Sequence, residues 1–281
     1  MSHHRTGTRR AAGVMFLAIA LGAGAGAKAQ GLFSTPAAQP AEARLLRGWA
    51  EDDGQRVAGF EVDLADGWKT YWRAPGEAGI PPRFDWSGSE NIADLEILWP
   101  APIVFDSFGL KTLGYKTRMV LPLRLTPADP ARPMRLSLSA FYGVCEDICV
   151  PAEASLSIEI APGAPEEGAG PIRAALNALP GPAAAAGLES ATCAFEGAEE
   201  ERRFTARLSF GRAPEHAPVV VAEGSDAMLF SPLETTLAGD MITASGEVRV
   251  EPGAWIDRSA LKLTLIDPSG GALELIGCAS G

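Results

Sequence analysis

The feature that most constrains this chain is a two-residue alternation of apolar and polar side chains. It is found in residues 58–64, 119–125, 134–138, 156–160, 204–210 and 261–265. Since successive side chains of a strand point to opposite faces, this period indicates strands with one buried face. Turns rich in Pro and Gly, such as 73–76 and 128–130, separate the strands. The pattern predicts an all-β fold built from antiparallel β-sandwiches.

A segment rich in Pro, Gly and Ala interrupts the alternation after residue 160. Residues 161–170 read APGAPEEGAG, and a short helix that begins at Pro171 is expected before the Pro-Gly-Pro at 180–182. Such composition is typical of linkers, and Pro is favoured at the first position of a helix. We therefore predict two β-sandwich domains, 41–160 and 190–281, joined by a linker at 161–189 that contains the short helix.

The first thirty residues have the form of an export signal. Arg5, Arg9 and Arg10 precede an apolar run of small residues at 11–27, and Ala27-Lys-Ala29 has the small-x-small pattern of a cleavage site. The alternative is a membrane anchor that stays attached. No later stretch reaches the roughly 18 apolar residues that a membrane-spanning helix needs. We expect a signal peptide at 1–29, cleavage near Ala29, and a mature periplasmic chain without a transmembrane segment.

The charge balance excludes some functions. The chain has 24 Lys and Arg against 35 Asp and Glu, a formal net charge of −11. A nucleic-acid partner is not expected, because phosphate binding needs clustered basic residues. Only three histidines are present, and two of them are His3 and His4. We therefore expect no His-based catalysis, no metal site and no cofactor.

The four cysteines are expected to form disulfides, because an even number in an exported chain favours bridges over free thiols. Three pairings are formally possible, and the spacing favours Cys145 with Cys149 and Cys193 with Cys278. A bridge between Cys193 and Cys278 closes a long loop and ties down the end of the second domain, so we expect it to be structural. The alternative is a second redox or metal-binding pair.

The Cys145–Cys149 pair requires a tight bend. In an extended strand their Cα atoms would lie about 13 Å apart, whereas a disulfide needs about 5.5 Å. A bridge across so short a loop stabilises the fold only weakly, which favours a pair that opens and closes. The alternative is a small structural disulfide at the end of a hairpin. The spacing is not Cys-x-x-Cys, so a thioredoxin fold is not expected.

Three sequence segments resemble a known family, the N-terminal periplasmic domain of the thiol:disulfide interchange protein DsbD. They are 141–153 (FYGVCEDICVPAE), 67–82 with its GWKTYWRAPG and IPP motifs, and 99–123 with its WPAP and FDSFG motifs. The resemblance covers about residues 45–160, is closest to the ScsB-like branch, and is weak over 190–281. It implies an immunoglobulin-like redox domain, with a second immunoglobulin-like domain after it.

The resemblance also implies roles for particular residues. Cys145 and Cys149 match the redox-active pair of the family. Phe108, in the Asp106–Gly109 segment, matches the phenylalanine of a loop that caps the disulfide. Two aromatic residues, Tyr71 and Trp72, fall where aromatic side chains lie near the pair. A cap or partner-contact role is therefore expected for Phe108, Asp106, Tyr71 and Trp72.

The partners implied are a membrane electron-transfer protein of the DsbD/CcdA type and periplasmic thioredoxin-like oxidoreductases. The chain would then be a thiol-disulfide oxidoreductase that relays electrons between them. Two features depart from the family. The Cys-x3-Cys spacing is shorter than in the best-known members, and no segment matches the transmembrane or thioredoxin-like domains of full-length DsbD. A standalone form that receives electrons from a separate protein is therefore expected.

The residues beside the cysteines point to a slow thiol. Glu146 and Asp147 are expected to raise the thiol pKa by like-charge repulsion, which suits a carrier whose disulfide is attacked by a more reactive partner. Two other functions stay open, a Cu(I)-binding module with Met119 and Met134 as further sulfurs and a purely structural protein. The sequence leaves the client undecided among cytochrome c maturation, disulfide isomerisation and copper tolerance.

Overall fold

The computed structural model describes residues 40–107, 109–197 and 200–281. The expected signal peptide at 1–29 and the expected cap residue Phe108 lie outside these ranges. Within them, no helix combines the length and apolar character that crossing a bilayer requires.

Ten strands between Ala41 and Ile160 form the first sandwich. They are β1 (Ala41–Ala50), β2 (Arg56–Leu64), β3 (Lys69–Gly76), β4 (Arg83–Asp85), β5 (Ile92–Ile97), β6 (Ile103–Ser107), β7 (Leu110–Lys116), β8 (Arg118–Pro127), β9 (Met134–Cys145) and β10 (Cys149–Ile160). One sheet has the order β1-β2-β8-β5, and the other has the order β10-β9-β3-β7-β6 with β4 paired to β9. All of these pairings are antiparallel, so the all-β prediction is confirmed.

The rest of the described chain holds one helix and a second sandwich. The elements are α1 (Ala169–Asn177), β11 (Gly181–Pro182), a 3-10 helix (Ala183–Ala186), β12 (Leu188–Glu196), β13 (Glu201–Phe210), β14 (Val219–Glu223), β15 (Met228–Phe230), β16 (Glu234–Ala238), β17 (Met241–Val250), a 3-10 helix (Arg258–Ala260), β18 (Lys262–Ile266), β19 (Ala272–Ile276) and β20 (Ala279–Ser280). One sheet has the order β11-β19-β18-β14, and the other has the order β15-β17-β13-β12-β20 with β16 paired to β17. Strand β11 thus lies inside the segment expected to be linker.

Helix α1 packs against the first sandwich. It begins at Ala169, two residues before Pro171. Pro is tolerated at this place because the first N–H groups of a helix have no intrahelical partner. Its buried Ile172 and Ala175 form a small cluster with Leu46, Val57 and Val120 of β1, β2 and β8. The helix therefore covers the outer face of the β1-β2-β8-β5 sheet.

The two sandwiches share apolar packing. Ile266 of β18 is fully buried in the same cluster as Phe60 and Leu121 of the first sandwich. Val219, Val221 and Ala272 of the second sandwich pack against that cluster as well. Because burying one such side chain contributes roughly 1.5–3 kcal/mol, this contact holds the two sandwiches together.

Strand β3 extends through a segment where the sequence predicted a turn. Residues 73–76 belong to the strand and do not form a turn, so that prediction was wrong. The change of direction comes only at Gly76, whose φ of 83° is in the left-handed region. A Cβ there would lie 2.5 Å from the carbonyl oxygen of Lys111. The composition of the segment indicated a turn, but only its last residue has the turn geometry.

Candidate functional site

The Cys145–Cys149 pair lies at the tip of a long hairpin. Strands β9 and β10 pair over their whole length, and Cys145 opposite Cys149 is the last pair of the register. The three residues 146–148 make the turn, so the two Cα atoms lie 4.1 Å apart and the sulfurs form a disulfide. The tight bend expected from the spacing is therefore a hairpin turn.

The two sulfurs have different surroundings. Cys145 is 1% exposed, in a cluster with Tyr71, Phe105 and the half-buried Ile80, whereas Cys149 is exposed. Cys149 is therefore the more accessible residue of the pair.

The hydroxyl group of Tyr71 lies against both sulfurs. It donates a hydrogen bond to Sγ of Cys145 at 3.0 Å and lies 3.3 Å from Sγ of Cys149. The tyrosine is 2% exposed, and this burial raises the pKa of Tyr71 above its ordinary value. The hydroxyl thus stays protonated at neutral pH and remains a donor to the pair.

Two lysines near the pair were missed by the sequence analysis, which considered only residues close to the cysteines in the chain. Lys69 lies directly opposite Cys145 in the β3–β9 register and opposite Lys116 in the β3–β7 register. Their ammonium groups lie 5.2 and 5.5 Å from the ring centre of Phe105, which packs against Cys145. The alternation of β3 was the available signal, because Lys69 and Tyr71 share one face of a strand.

The segment after β3 forms one wall of this site. Ile80 packs over Gly143, where an added Cβ would lie 2.8 Å from the Cβ of Ile80. The missing side chain of Gly143 therefore lets Ile80 approach the strand that carries Cys145. The sequence analysis quoted this segment only for its resemblance and assigned it no contact with the disulfide.

The predicted cap and contact residues have different locations. Asp106 accepts a hydrogen bond from the N–H of Gly109 at 2.8 Å, which closes the turn between β6 and β7. Phe108, which this turn carries, lies outside the described residues. Tyr71 contacts the sulfurs, whereas Trp72 is fully buried in the core of the first sandwich. Trp72 points to the other side of β3, and its burial in the core gives no support to a direct contact with a partner.

The second disulfide lies far along the chain. Cys193 is fully buried in the core of the second sandwich, and its bridge to Cys278 joins Cα atoms 5.7 Å apart. It ties β12 to the last residues, where β20 pairs in parallel with β12. This arrangement fits a staple at the end of the chain.

The described residues contain no group of three or more His, Cys, Asp or Glu side chains that could hold a metal ion. The methionines considered as further sulfur ligands, Met119 and Met134, are buried in the core of the first sandwich. They therefore serve as packing residues.

Two comparisons with known proteins agree with this geometry. Residues 38–160 match the family model described as "Thiol:disulfide interchange protein DsbD, N-terminal". The crystal structure of the N-terminal periplasmic domain of ScsB from Proteus mirabilis is similar over 86% of this chain and 92% of that chain, with a TM-score of 0.60 and 23% sequence identity. At this identity the likeness shows the fold. No curated protein matches the sequence. Residues 38–160 of this chain therefore form a DsbD N-terminal-like domain.

Proposed function

We propose that this chain is a periplasmic thiol-disulfide interchange module. The Cys145–Cys149 pair accepts two electrons from the dithiol of a membrane electron-transfer protein of the DsbD/CcdA type. It passes them to periplasmic thioredoxin-like oxidoreductases. The observation that carries the proposal is the unequal exposure of the two sulfurs, since Cys149 is exposed while Cys145 is buried against Tyr71.

The exchange starts at Cys149. A thiolate of the reduced partner attacks Sγ of Cys149, a bond between the two proteins forms, and the Cys145–Cys149 bond breaks with its electron pair on Cys145. The second thiolate of the partner then attacks the partner sulfur that is bonded to Cys149. The partner disulfide forms, and Cys149 is released as a thiolate. The partner is oxidised and the pair is reduced. Transfer to an oxidised client follows the same steps in reverse, with Cys149 as the attacking sulfur.

Cys145 has the surroundings that a leaving thiolate needs. The hydroxyl of Tyr71 already donates to its sulfur at 3.0 Å, and a hydrogen bond to a charged group is roughly twice as strong as a neutral one. Lys69, opposite Cys145 in the register, adds a positive charge that favours the thiolate. A better leaving group accelerates exchange. These contacts act against the like-charge repulsion expected from Glu146 and Asp147.

An apolar side chain beside the pair suits a docking surface. Ile148, in the turn between the cysteines, is 75% exposed. The centre of a protein interface is typically apolar and poor in charge. A thioredoxin-like partner that presents its cysteine within an apolar patch would bury Ile148 while its sulfur reaches Cys149.

The proposal is tested by following electrons between proteins. The mature chain, with its disulfides formed, is mixed with reduced thioredoxin as the donor probe, and the thiols of Cys145 and Cys149 are counted by alkylation and mass spectrometry. We expect rapid reduction of this pair while the Cys193–Cys278 bridge stays intact. The reduced chain should then reduce an oxidised thioredoxin-like protein.

Two variants serve as controls. The double variant Cys145→Ser/Cys149→Ser should transfer no electrons, and Cys193→Ala/Cys278→Ala should transfer them at the wild-type rate at a temperature where it is folded. If protein dithiols reduce the two bridges of the wild type equally slowly, the Cys145–Cys149 disulfide is structural and the proposal fails.

A further inference from the structure

Arg73 connects the strand of the redox site to the second sandwich. Its guanidinium group makes two hydrogen bonds to the carboxylate of Glu223, with Nε and Nη2 each 2.9 Å from an oxygen. Nη2 also lies 3.1 Å from Glu274, and the guanidinium carbon lies 4.0 Å from the ring centre of Trp72. The side chain is only 17% exposed. A two-pronged, largely desolvated contact of this kind fixes position more firmly than a surface ion pair does.

The second sandwich presents a matching face. Val219, Val221 and Glu223 alternate along β14, and the first two of them pack against the core of the first sandwich. Thr264 of β18 is fully buried beside Glu274, with their side-chain oxygens 3.5 Å apart. The apolar part of this face is thus continuous with the acidic part that receives Arg73, and the same docking contact orders both.

Strand β3 has an irregular register just after Tyr71. The ladder to β9 covers Lys69 and Thr70, and the ladder to β7 continues only as far as Tyr71. The next pair to β7 within the described chain is Gly76 with Thr112. Between these two pairs the register is irregular, and in this stretch Trp72 lies in the core and Arg73 contacts the second sandwich.

We infer that Arg73 is a positioning residue for the redox pair, through which the second sandwich holds β3 so that the hydroxyl of Tyr71 stays on the sulfurs of Cys145 and Cys149. This inference rests on the proposed function, and it gives the second sandwich a part in the chemistry of the first. Tyr71 lies two residues before Arg73, at the last β3–β7 pair before the register shift. A shift of β3 at Arg73 would therefore change the distances from the hydroxyl of Tyr71 to the two sulfurs.

The test compares Arg73→Met with Tyr71→Phe in the full mature chain. The equilibrium constant for reduction of the Cys145–Cys149 pair is measured in glutathione buffers above the thiol pKa. Both variants should lower it by roughly threefold to tenfold, the upper figure corresponding to about 30 mV for a two-electron couple. Arg73→Lys should restore part of the loss, because an ammonium group contacts one carboxylate but has no planar fork for two.

The double variant Arg73→Met/Tyr71→Phe separates positioning from general destabilisation. If Arg73 acts through Tyr71, the double variant should have the equilibrium constant of Tyr71→Phe alone, since contacts in one network are not additive. The control is Arg47→Met, which removes an exposed ion pair with Glu167 and should leave the constant unchanged. Glu274→Gln weakens the contact between Arg73 and the second sandwich more mildly. It replaces Arg73→Met in the test if that variant does not fold.

The outcomes that would overturn the inference are specific. An unchanged equilibrium constant in Arg73→Met or Glu274→Gln, or effects of Arg73→Met and Tyr71→Phe that simply add, means that Arg73 only joins the sandwiches. The glutathione equilibrium involves no protein partner. A wild-type pair that equilibrates normally but fails with protein dithiols would therefore contradict the proposed function and leave this inference standing.

Discussion

Replacing Tyr71 with Phe removes a single oxygen from the redox site. The ring keeps its packing against Phe105 and Ile80, and the disulfide sulfurs are weak acceptors that tolerate the loss. On reduction, however, the hydroxyl donates to a thiolate on Cys145. A hydrogen bond to a charged group contributes about 1.5–3 kcal/mol, and we take the lower value because the donor is shared with Cys149. The variant should therefore destabilise the reduced form far more than the oxidised form.

The direction and the size of the changes in thiol pKa and reduction potential follow from that difference. Since one pKa unit is about 1.4 kcal/mol, the pKa of the Cys145 thiol in the reduced chain should rise by about one unit in Tyr71→Phe. Above this pKa the reduction potential of the pair should fall by about 30 mV. Burial raises the pKa of Tyr71, so the hydroxyl remains a donor and the difference in potential between the variant and the wild type persists at mildly alkaline pH above the thiol pKa.

The assay is the pH dependence of alkylation of the reduced chain, together with the glutathione equilibrium and the melting temperature. Tyr115→Phe is the matched control, because its hydroxyl is also buried but donates to the carbonyl oxygen of Pro100 at 2.9 Å. The control should lose about 1 kcal/mol of unfolding free energy and keep the wild-type potential. Equal thiol pKa values in wild type and Tyr71→Phe would refute the assigned role of the hydroxyl.

Three further predictions concern the cysteines and the cap. The single variant Cys145→Ser, which keeps the exposed Cys149, should form mixed disulfides with an aromatic disulfide reagent at least ten times faster than Cys149→Ser, as stopped-flow absorbance would show, because access limits exchange; similar rates would contradict the assignment of Cys149. In a graded thiol buffer the Cys145–Cys149 pair should be reduced well before the Cys193–Cys278 bridge. Removing the Cys193–Cys278 bridge should lower the free energy of unfolding by about 4–5 kcal/mol in denaturant titrations, since it closes a long loop. Phe108→Ala should accelerate reduction by dithiothreitol and lower stability by much less than the roughly 3–5 kcal/mol of a core Phe→Ala change; an unchanged rate would show that Phe108 does not cap the disulfide.

The sequence predicted the parts of the fold that rest on local periodicity. Strands β2, β8, β9 and β10 lie where apolar and polar residues alternate. Burial of one face imposes this pattern on β9 and β10, whereas β2 and β8 are buried on both faces where α1 covers their sheet. Strand β3 was less visible, since Pro75 and Gly76 suggested a turn. Its extended form comes from contacts with distant residues, above all the burial of Trp72 and the ion pairs of Arg73.

The candidate site was predictable to the same degree. The Cys145–Cys149 pairing followed from spacing, and the nearness of Tyr71 followed from the family resemblance. Lys69 is opposite Cys145 only because β3 and β9 are neighbours in the sheet, and that register is set by the whole sandwich. The partner of Arg73 in the second sandwich, Glu223, is 150 residues away in the chain, so no local pattern indicates it.

The shared packing around Ile266 has a consequence for how the protein unfolds. The family match ends at residue 160. The apolar cluster of the first sandwich nevertheless continues into β18, and α1 covers the outer face of the β1-β2-β8-β5 sheet. A chain shortened to residues 38–160 would leave Leu46, Val57 and Val120 uncovered, and would remove Ile266 from the cluster. The two sandwiches are therefore expected to melt in a single cooperative transition, so the thermodynamic domain is larger than the evolutionary one.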